Sequence, residues 1–161
     1  MINLENKTFV IMGIANKRSI GFGVAKVLDQ LGAKLVFTYR KDRSRKELEK
    51  LLEQLNQEEP KLYQIDVQKD EDVVNGFAKI GEEVGNIDGV YHSIAFANIE
   101  DLRGRFSETS REGFLLAQDI SSYSLTIVNE YELISCASKK PSRDVSEKRP
   151  RKSSIFANAI E

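Results

Sequence analysis

The chain has 161 residues, enough for one domain with a hydrophobic core but fewer than the roughly 250 residues usual for a complete doubly wound α/β enzyme. Its 24 basic and 25 acidic side chains give a net charge of −1, which provides no overall field for nucleic acid or an anionic membrane, so we expect neither partner and favour a small molecule. The N-terminus does not resemble a signal peptide and no apolar run could span a bilayer, so we expect a cytoplasmic protein. The single cysteine, Cys136, lacks neighbours with metal-ligand spacing, so we expect neither a metal site nor an internal disulfide.

Strand-like and helix-like segments alternate along the chain in four β-α units. Apolar runs predict strands at 7–13, 35–39, 62–65 and about 87–95, and each is followed by a segment with one apolar stripe. The last of these stripes covers about 114–128, after a polar loop. Helices between successive strands imply parallel pairing through right-handed crossovers. The predicted fold class is a doubly wound parallel α/β sheet of the Rossmann type.

The turn after the first strand has the composition of a phosphate-binding loop. Gly13 would provide the tight turn, and the Ser19 hydroxyl with the backbone amides of Ser19 and Ile20 would meet phosphate oxygens at the positive end of a helix. Gly21 and Gly23 would let that helix approach closely. Its position after a strand and before a helix favours a dinucleotide ligand, and the alternative is a glycine turn without any ligand.

Basic residues follow the second strand, where NAD enzymes usually carry an acidic residue that binds the ribose hydroxyls. Arg40 and Lys41 could neutralise a 2′-phosphate, and Ser44 could donate a hydrogen bond to it. The pattern predicts NADPH as the cofactor in preference to NADH. The alternative is that 40–46 is only the charged start of an exposed helix, and Asp42 weakens the cationic signal.

Two further segments complete the predicted crevice, which should lie where the strand order reverses, between the first and fourth strands. Asp66 and Val67 are placed to recognise an adenine, although Asp66 could equally cap the helix that follows. Ser93 and Ile94 end the fourth strand and should face Gly13 across the crevice. The single histidine lies inside that strand and is not expected to be catalytic.

These motifs together resemble the bacterial enoyl-[acyl-carrier-protein] reductases of the short-chain dehydrogenase/reductase superfamily, in their staphylococcal NADPH-preferring form. The resemblance rests on 12–20, 39–41, 66–67 and 92–97, and it extends from Met1 to about Val128. It implies NADPH-dependent reduction of an enoyl-acyl-carrier-protein in fatty-acid elongation, and a homo-oligomer in the complete family. The implied cofactor contacts are Gly13, Ser19, Ile20, Arg40, Lys41, Ser44, Asp66, Val67, Ser93 and Ile94, with Ala97 beside the acyl substrate.

The resemblance ends before the family's catalytic pair, a tyrosine followed after six residues by a lysine. Here Tyr131 is separated from Lys139 and Lys140 by seven and eight residues, so no catalytic residue is assigned. We expect 1–128 to be the first part of the dinucleotide domain, truncated after its fourth β-α unit, and 129–161 to be a divergent, disordered basic tail.

Two alternatives follow from this tail. Without later strands the fourth strand would be an apolar edge, which makes a catalytically inactive nucleotide-binding or self-associating fragment the second candidate function. Residues 139–152 contain seven basic and two acidic side chains, so a weak contact with a polyanion is an alternative to a solvated tail.

Overall fold

The computed structural model describes residues 2–137 and 156–157, with side chains described to residue 130. The strands are β1 (Thr8–Met12), β2 (Lys34–Tyr39), β3 (Lys61–Gln64), β4 (Gly89–His92) and β5 (Phe156–Ala157). The helices are α1 (Ile20–Gln30), α2 (Asp42–Leu52), α3 (Asp70–Val84), α4 (Arg111–Gln118) and α5 (Ser124–Ala137). A 3₁₀ turn spans Phe106–Glu108, and a π-helical turn, Asp119–Tyr123, joins α4 to α5.

All strand pairs in the sheet are parallel, and the strand order is β3-β2-β1-β4-β5. The chain therefore proceeds outward from β1 through β2 and β3, then crosses back to place β4 on the other side of β1. This confirms the predicted fold class, and the strand order reverses between β1 and β4 as the sequence indicates.

The helices lie on both faces of the sheet, because the strands direct alternate side chains to opposite sides. In β1, Val10 and Met12 are fully buried in the cluster formed with α3 and α5. Ile11 is fully buried in the other cluster, which contains Phe22 of α1 and Leu48 of α2. A strand buried on both faces reads as a continuous apolar run, and this explains the sequence of β1.

One predicted strand boundary is wrong. The fourth strand is Gly89–His92, much shorter than the predicted 87–95, because its partner β1 ends at Met12 and the chain turns at Gly13, where φ is +91°. Helix α5 continues to Ala137, so 129–137 is helical, and the division of the chain at residue 128 stays a prediction.

The predicted open edge at β4 is also corrected. Phe156 pairs with Tyr91 and Ala157 with His92, so β4 has a neighbour on each side in the part of the chain that is described. The remainder of the predicted tail, 138–155 and 158–161, lies outside the described residues. Among the helices within the described ranges, none is long and apolar enough to cross a membrane.

Candidate functional site

A cavity of about 280 Å³ opens at the carboxyl ends of β1, β2, β3 and β4, where parallel sheets of this topology bind ligands. Seven of the ten residues predicted to contact a cofactor line it: Gly13, Arg40, Ser44, Asp66, Val67, Ser93 and Ile94. Ser19, Ile20 and Lys41 do not line it. The structure thus gathers residues from four separate β-α connections around one space.

Gly13 lies directly against the end of β4. A Cβ atom built on Gly13 would overlap the carbonyl group of Ser93 and lie 2.8 Å from the amide nitrogen of Ile94. The positive φ of +91° adds a second restriction, since residues with a side chain rarely adopt it. Only glycine satisfies both conditions, and the close approach fixes the two strand ends that form the floor of the cavity.

The loop between β1 and α1 is organised by Ser19. Its hydroxyl oxygen accepts hydrogen bonds from the backbone amides of Ala15 and Asn16, each at 3.0 Å. The Ser19 amide donates to the Asn16 carbonyl at 3.0 Å, and its contact with a phosphate stays a prediction. The Ser19 side chain does not cap α1, and no acidic residue stands in the first turn of that helix, which includes Ile20. The positive end of the helix is therefore open to an anion.

The two glycines of α1 differ in their surroundings. A Cβ atom at Gly21 would lie 2.6 Å from Ser93 Oγ, so the helix does approach β4 closely there, as predicted. A Cβ atom at Gly23 would meet nothing within 4 Å, so the prediction of close approach at Gly23 is wrong. Gly23 faces outward because it stands two positions after Gly21, on another side of the helix.

The cationic end of the cavity is built around Arg40. Its Nε donates to Asp66 Oδ2 and its Nη2 to Gln68 Oε1, both at 3.1 Å, and its side chain is 42% exposed. Ser44, in the first turn of α2, lines the same end. Lys41 is exposed at the N-cap of α2 and its side chain does not cap the helix. The helix begins at Asp42, which agrees with the alternative that the following charges belong to an exposed helix.

Asp66 does not cap α3, and that alternative is wrong. The helix begins at Asp70, with Lys69 at its N-cap. Asp66 instead accepts from the Gln68 amide through Oδ1 at 3.2 Å and from Arg40 through Oδ2. The carboxylate thus holds the turn after β3 and pairs with the cation that follows β2, while the buried Val67 lines the cavity beside it.

His92 lies away from the cavity, with 3% of its surface exposed. Its Nε2 is 2.8 Å from the hydroxyl oxygen of Ser124. Burial lowers the pKa of His92 from its ordinary value of 6.5, because a charged imidazolium would lose its hydration. His92 is thus not among the residues that line the cavity, and its lack of a catalytic role stays a prediction. Ala97, the residue proposed beside a substrate, is half-buried in the loop after β4 and does not line the cavity.

Sequence reasoning missed several residues that line the cavity: Thr38, Gln68, Phe96 and Ile120. Gln68 is polar and close to Asp66 in sequence, so its position gave a usable signal. Ile120 comes from the π-helical turn, and periodicity cannot locate such a turn. The side chain of Tyr131 falls outside the described side chains, and Lys139 and Lys140 lie outside the described residues.

A sequence profile of the family described as "Enoyl-(Acyl carrier protein) reductase" matches residues 13–139 of this chain. The chain belongs to this family. Among enoyl-acyl-carrier-protein reductases, the NADPH enzyme FabI of Staphylococcus aureus strain NCTC 8325 is 88% identical over 128 residues, which are 80% of this chain and 50% of that protein. The NADH enzyme FabI of Bacillus cereus is 50% identical over 125 residues, 78% of this chain and 49% of that protein.

Solved structures of reductases agree with the fold. The Bacillus cereus enzyme, crystallised with NADP⁺ and indole naphthyridinone, has a TM-score of 0.77 and 48% identity, covering 82% of this chain and 51% of that chain. The Aquifex aeolicus NADH enzyme has a TM-score of 0.76 and 38% identity, covering 81% and 55%. This chain spans about half the length of the relatives that it matches.

The site carries no metal-binding arrangement within the described residues, where no group of three or more His, Cys, Asp or Glu side chains could hold an ion. The charged side chains that line the cavity are Arg40 and its ion-pair partner Asp66, and the uncapped N-terminus of α1 stands outside the lining, beyond the loop that follows Gly13. The geometry is suited to an elongated, negatively charged ligand that lies across the ends of the four strands.

Proposed function

We propose that this chain supplies the cofactor-binding part of an NADPH-dependent enoyl-acyl-carrier-protein reductase of fatty-acid elongation. The observation that carries the proposal is the position of Arg40 after β2, at the edge of the cavity. The staphylococcal relative at 88% identity is named as an NADPH enzyme, which supports the same preference here.

The donors of Arg40 fit a 2′-phosphate. A guanidinium has five N–H donors, and here one goes to Asp66 and one to Gln68, which leaves three for a ligand. Asp66 and Gln68 hold the guanidinium plane at the mouth of the cavity, so less side-chain entropy is lost when an anion binds. Ser44 lines the cavity nearby and offers a hydroxyl donor. A free 2′-hydroxyl would gain little from this cation.

The α1 end of the site fits a pyrophosphate. The helix has neither a side-chain cap nor an acidic residue in its first turn, so its first amides and its dipole are available to phosphate oxygens. Gly13 brings the loop against β4 with no side chain in the way. The two anionic parts of NADPH would therefore be held by separate elements of the chain, with the adenosine between them near Asp66 and Val67.

When bound, NADPH supplies the hydride that adds to C3 of the enoyl chain, and a proton then adds to C2. The described residues bind and orient this cofactor. The reaction also needs a donor for the charge that develops on the thioester carbonyl oxygen, and removing such a donor typically costs several kcal/mol of barrier. We assign no residue of this chain to that role.

A second candidate function is binding of the dinucleotide without turnover. It is favoured by the spacing of Tyr131 from Lys139 and Lys140, which does not match the family's pair. Assaying a crotonyl thioester with NADPH beside a binding titration separates the two. Turnover by the chain contradicts the binding-only function, and saturable binding without turnover supports it.

The cofactor proposal is tested by titrating the chain with NADPH and with NADH and following nicotinamide fluorescence. We expect the wild-type chain to bind NADPH more tightly than NADH. Arg40→Ala should weaken NADPH binding by about 10-fold to 100-fold, which is the value of a charge-assisted hydrogen bond to phosphate. The same substitution should leave NADH binding nearly unchanged.

Arg103→Ala is the matched control, because Arg103 is exposed in the loop after β4 and does not line the cavity. Equal affinities of the wild-type chain for the two nucleotides, or equal effects of the two arginine substitutions, would contradict the proposal.

A further inference from the structure

The end of the cavity beside β4 is formed by a segment that the sheet does not hold. β4 ends at His92, and the next residue is tied to β1 by two hydrogen bonds to the Met12 carbonyl, from the Ser93 amide at 3.1 Å and from Ser93 Oγ at 2.7 Å. Beyond Ser93 the backbone leaves the ladder while still lining the cavity as far as Phe96. A contact from outside the sheet is therefore needed to hold the backbone of 94–96 in place.

The π-helical turn between α4 and α5 provides the fixed point. Ser121 Oγ accepts a hydrogen bond from the Phe96 amide at 3.1 Å and lies 3.5 Å from the Phe96 carbonyl oxygen, to which it can donate. One side chain therefore contacts both polar groups of the Phe96 backbone, which pairs with no strand among the described residues. Single π-turns inside helices are often found at functional sites, because the extra residue redirects the side chains that follow.

The turn is itself anchored to β4 by a buried hydrogen-bond chain. The Ser124 hydroxyl donates to the Ile120 carbonyl at 2.6 Å, which leaves its oxygen to accept from Nε2–H of His92 at 2.8 Å. Ser124 is fully buried and His92 nearly so. Ile120 from the same turn lines the cavity. The turn is thus held against the strand on one side while Ser121 reaches the strand's continuation on the other.

We propose that Ser121 is a positioning residue for the part of the dinucleotide site farther from Arg40, where its hydroxyl holds the Phe96 peptide and so sets the backbone of 94–96 against the nicotinamide half of NADPH. The inference rests on the proposed function. Because Arg40 and Ser44 take the 2′-phosphate beside the end of β2, the other half of the ligand extends across β1 toward the end of β4.

The test compares the binding of NADPH with that of adenosine 2′,5′-bisphosphate, two nucleotides that share the adenine and the 2′-phosphate. Adenosine 2′,5′-bisphosphate carries the 2′-phosphate and adenine but no nicotinamide, so it reports on the Arg40 end alone. We expect Ser121→Ala to weaken NADPH binding by about 5-fold to 10-fold, the value of one hydrogen bond, and to change the affinity for the bisphosphate less than about 2-fold. Ser121→Thr keeps the hydroxyl and should restore NADPH binding.

Ser122→Ala is the matched control, because Ser122 stands next in the same turn and is exposed on the surface away from the cavity. Amide hydrogen exchange gives an independent measurement, in which the Phe96 amide should lose protection in Ser121→Ala and keep it in the control.

Unchanged NADPH binding in Ser121→Ala, or an equal loss for both nucleotides, overturns the inference and leaves the proposed function intact. Failure of the wild-type chain to bind either nucleotide overturns the proposed function and, with it, this inference.

Discussion

Replacing Gly13 by alanine tests the contact on which the site is built. The new Cβ would overlap the Ser93 carbonyl and come within 2.8 Å of the Ile94 amide nitrogen, and these are backbone atoms that cannot rotate away. Forcing a side chain into a left-handed conformation costs about 1–2 kcal/mol, and overpacking a filled site costs about 1–3 kcal/mol more. We therefore expect Gly13→Ala to lower the free energy of unfolding by about 2–5 kcal/mol.

Gly23→Ala is the control within the same glycine-rich segment. Its Cβ would meet nothing within 4 Å, and Gly23 lies inside α1, so alanine should raise helix stability by up to about 1 kcal/mol. Both variants add one methyl group, and the predicted effects have opposite signs.

Urea denaturation followed by circular dichroism measures the difference. With a slope of about 2 kcal/mol per molar, the midpoint of Gly13→Ala should fall by about 1–2.5 M and that of Gly23→Ala should rise slightly. A Gly13→Ala chain with no folded baseline in buffer agrees with the prediction, because the loss then exceeds the stability of the wild-type chain. Equal midpoints for the two variants would refute the steric argument.

Three further predictions concern polar groups. Burial lowers the pKa of His92, the single histidine, below its unfolded value of about 6.5. The free energy of unfolding should therefore be at its full value above about pH 6.5 and should fall below that pH, where the unfolded chain takes up a proton, by at most about 1.4 kcal/mol per pH unit. His92→Gln should abolish this pH dependence of the urea midpoint. Asp101 accepts hydrogen bonds from the amide and the hydroxyl of Ser110 at the N-cap of α4, and these bonds tie the loop around Arg103 to that helix. Asp101→Ala should therefore speed tryptic cleavage after Arg103, whereas Glu100→Ala should not. Asp29→Ala should lower the urea-derived stability by about 1–3 kcal/mol, because its buried carboxylate accepts from two side-chain amides and a backbone amide in the loop after α2.

The repeating order of strands and helices was accessible from the sequence because it depends on local periodicity. Apolar runs such as that of β1 mark strands buried on both faces, and stripes at helical spacing mark the helices that cover them. The reversal between β1 and β4 followed from the strand order that doubly wound sheets of this type adopt. The boundaries were less accessible, since the end of β4 depends on where its neighbour β1 turns at Gly13.

Residue type and position also placed the cationic end of the site. Arg40 follows β2 directly, and any doubly wound sheet brings the end of that strand to the ligand edge. The sequence could not show that Arg40 pairs with Asp66 and Gln68, because those residues stand on another connection, more than twenty positions later. Their meeting depends on the pairing of β2 with β3.

What the sequence alone determined about this protein is therefore its sheet, its order of elements and the chemical character of the ligand edge, all of which arise from short-range patterns. Only the tertiary structure decided which groups touch across that edge. It distinguished Gly21, packed on Ser93, from Gly23, open to solvent, and it brought Ser121 to the Phe96 backbone through a π-turn. Such contacts depend on the rotation and depth of each helix against the sheet, and these are set by the packing of the whole core rather than by any local run of residues.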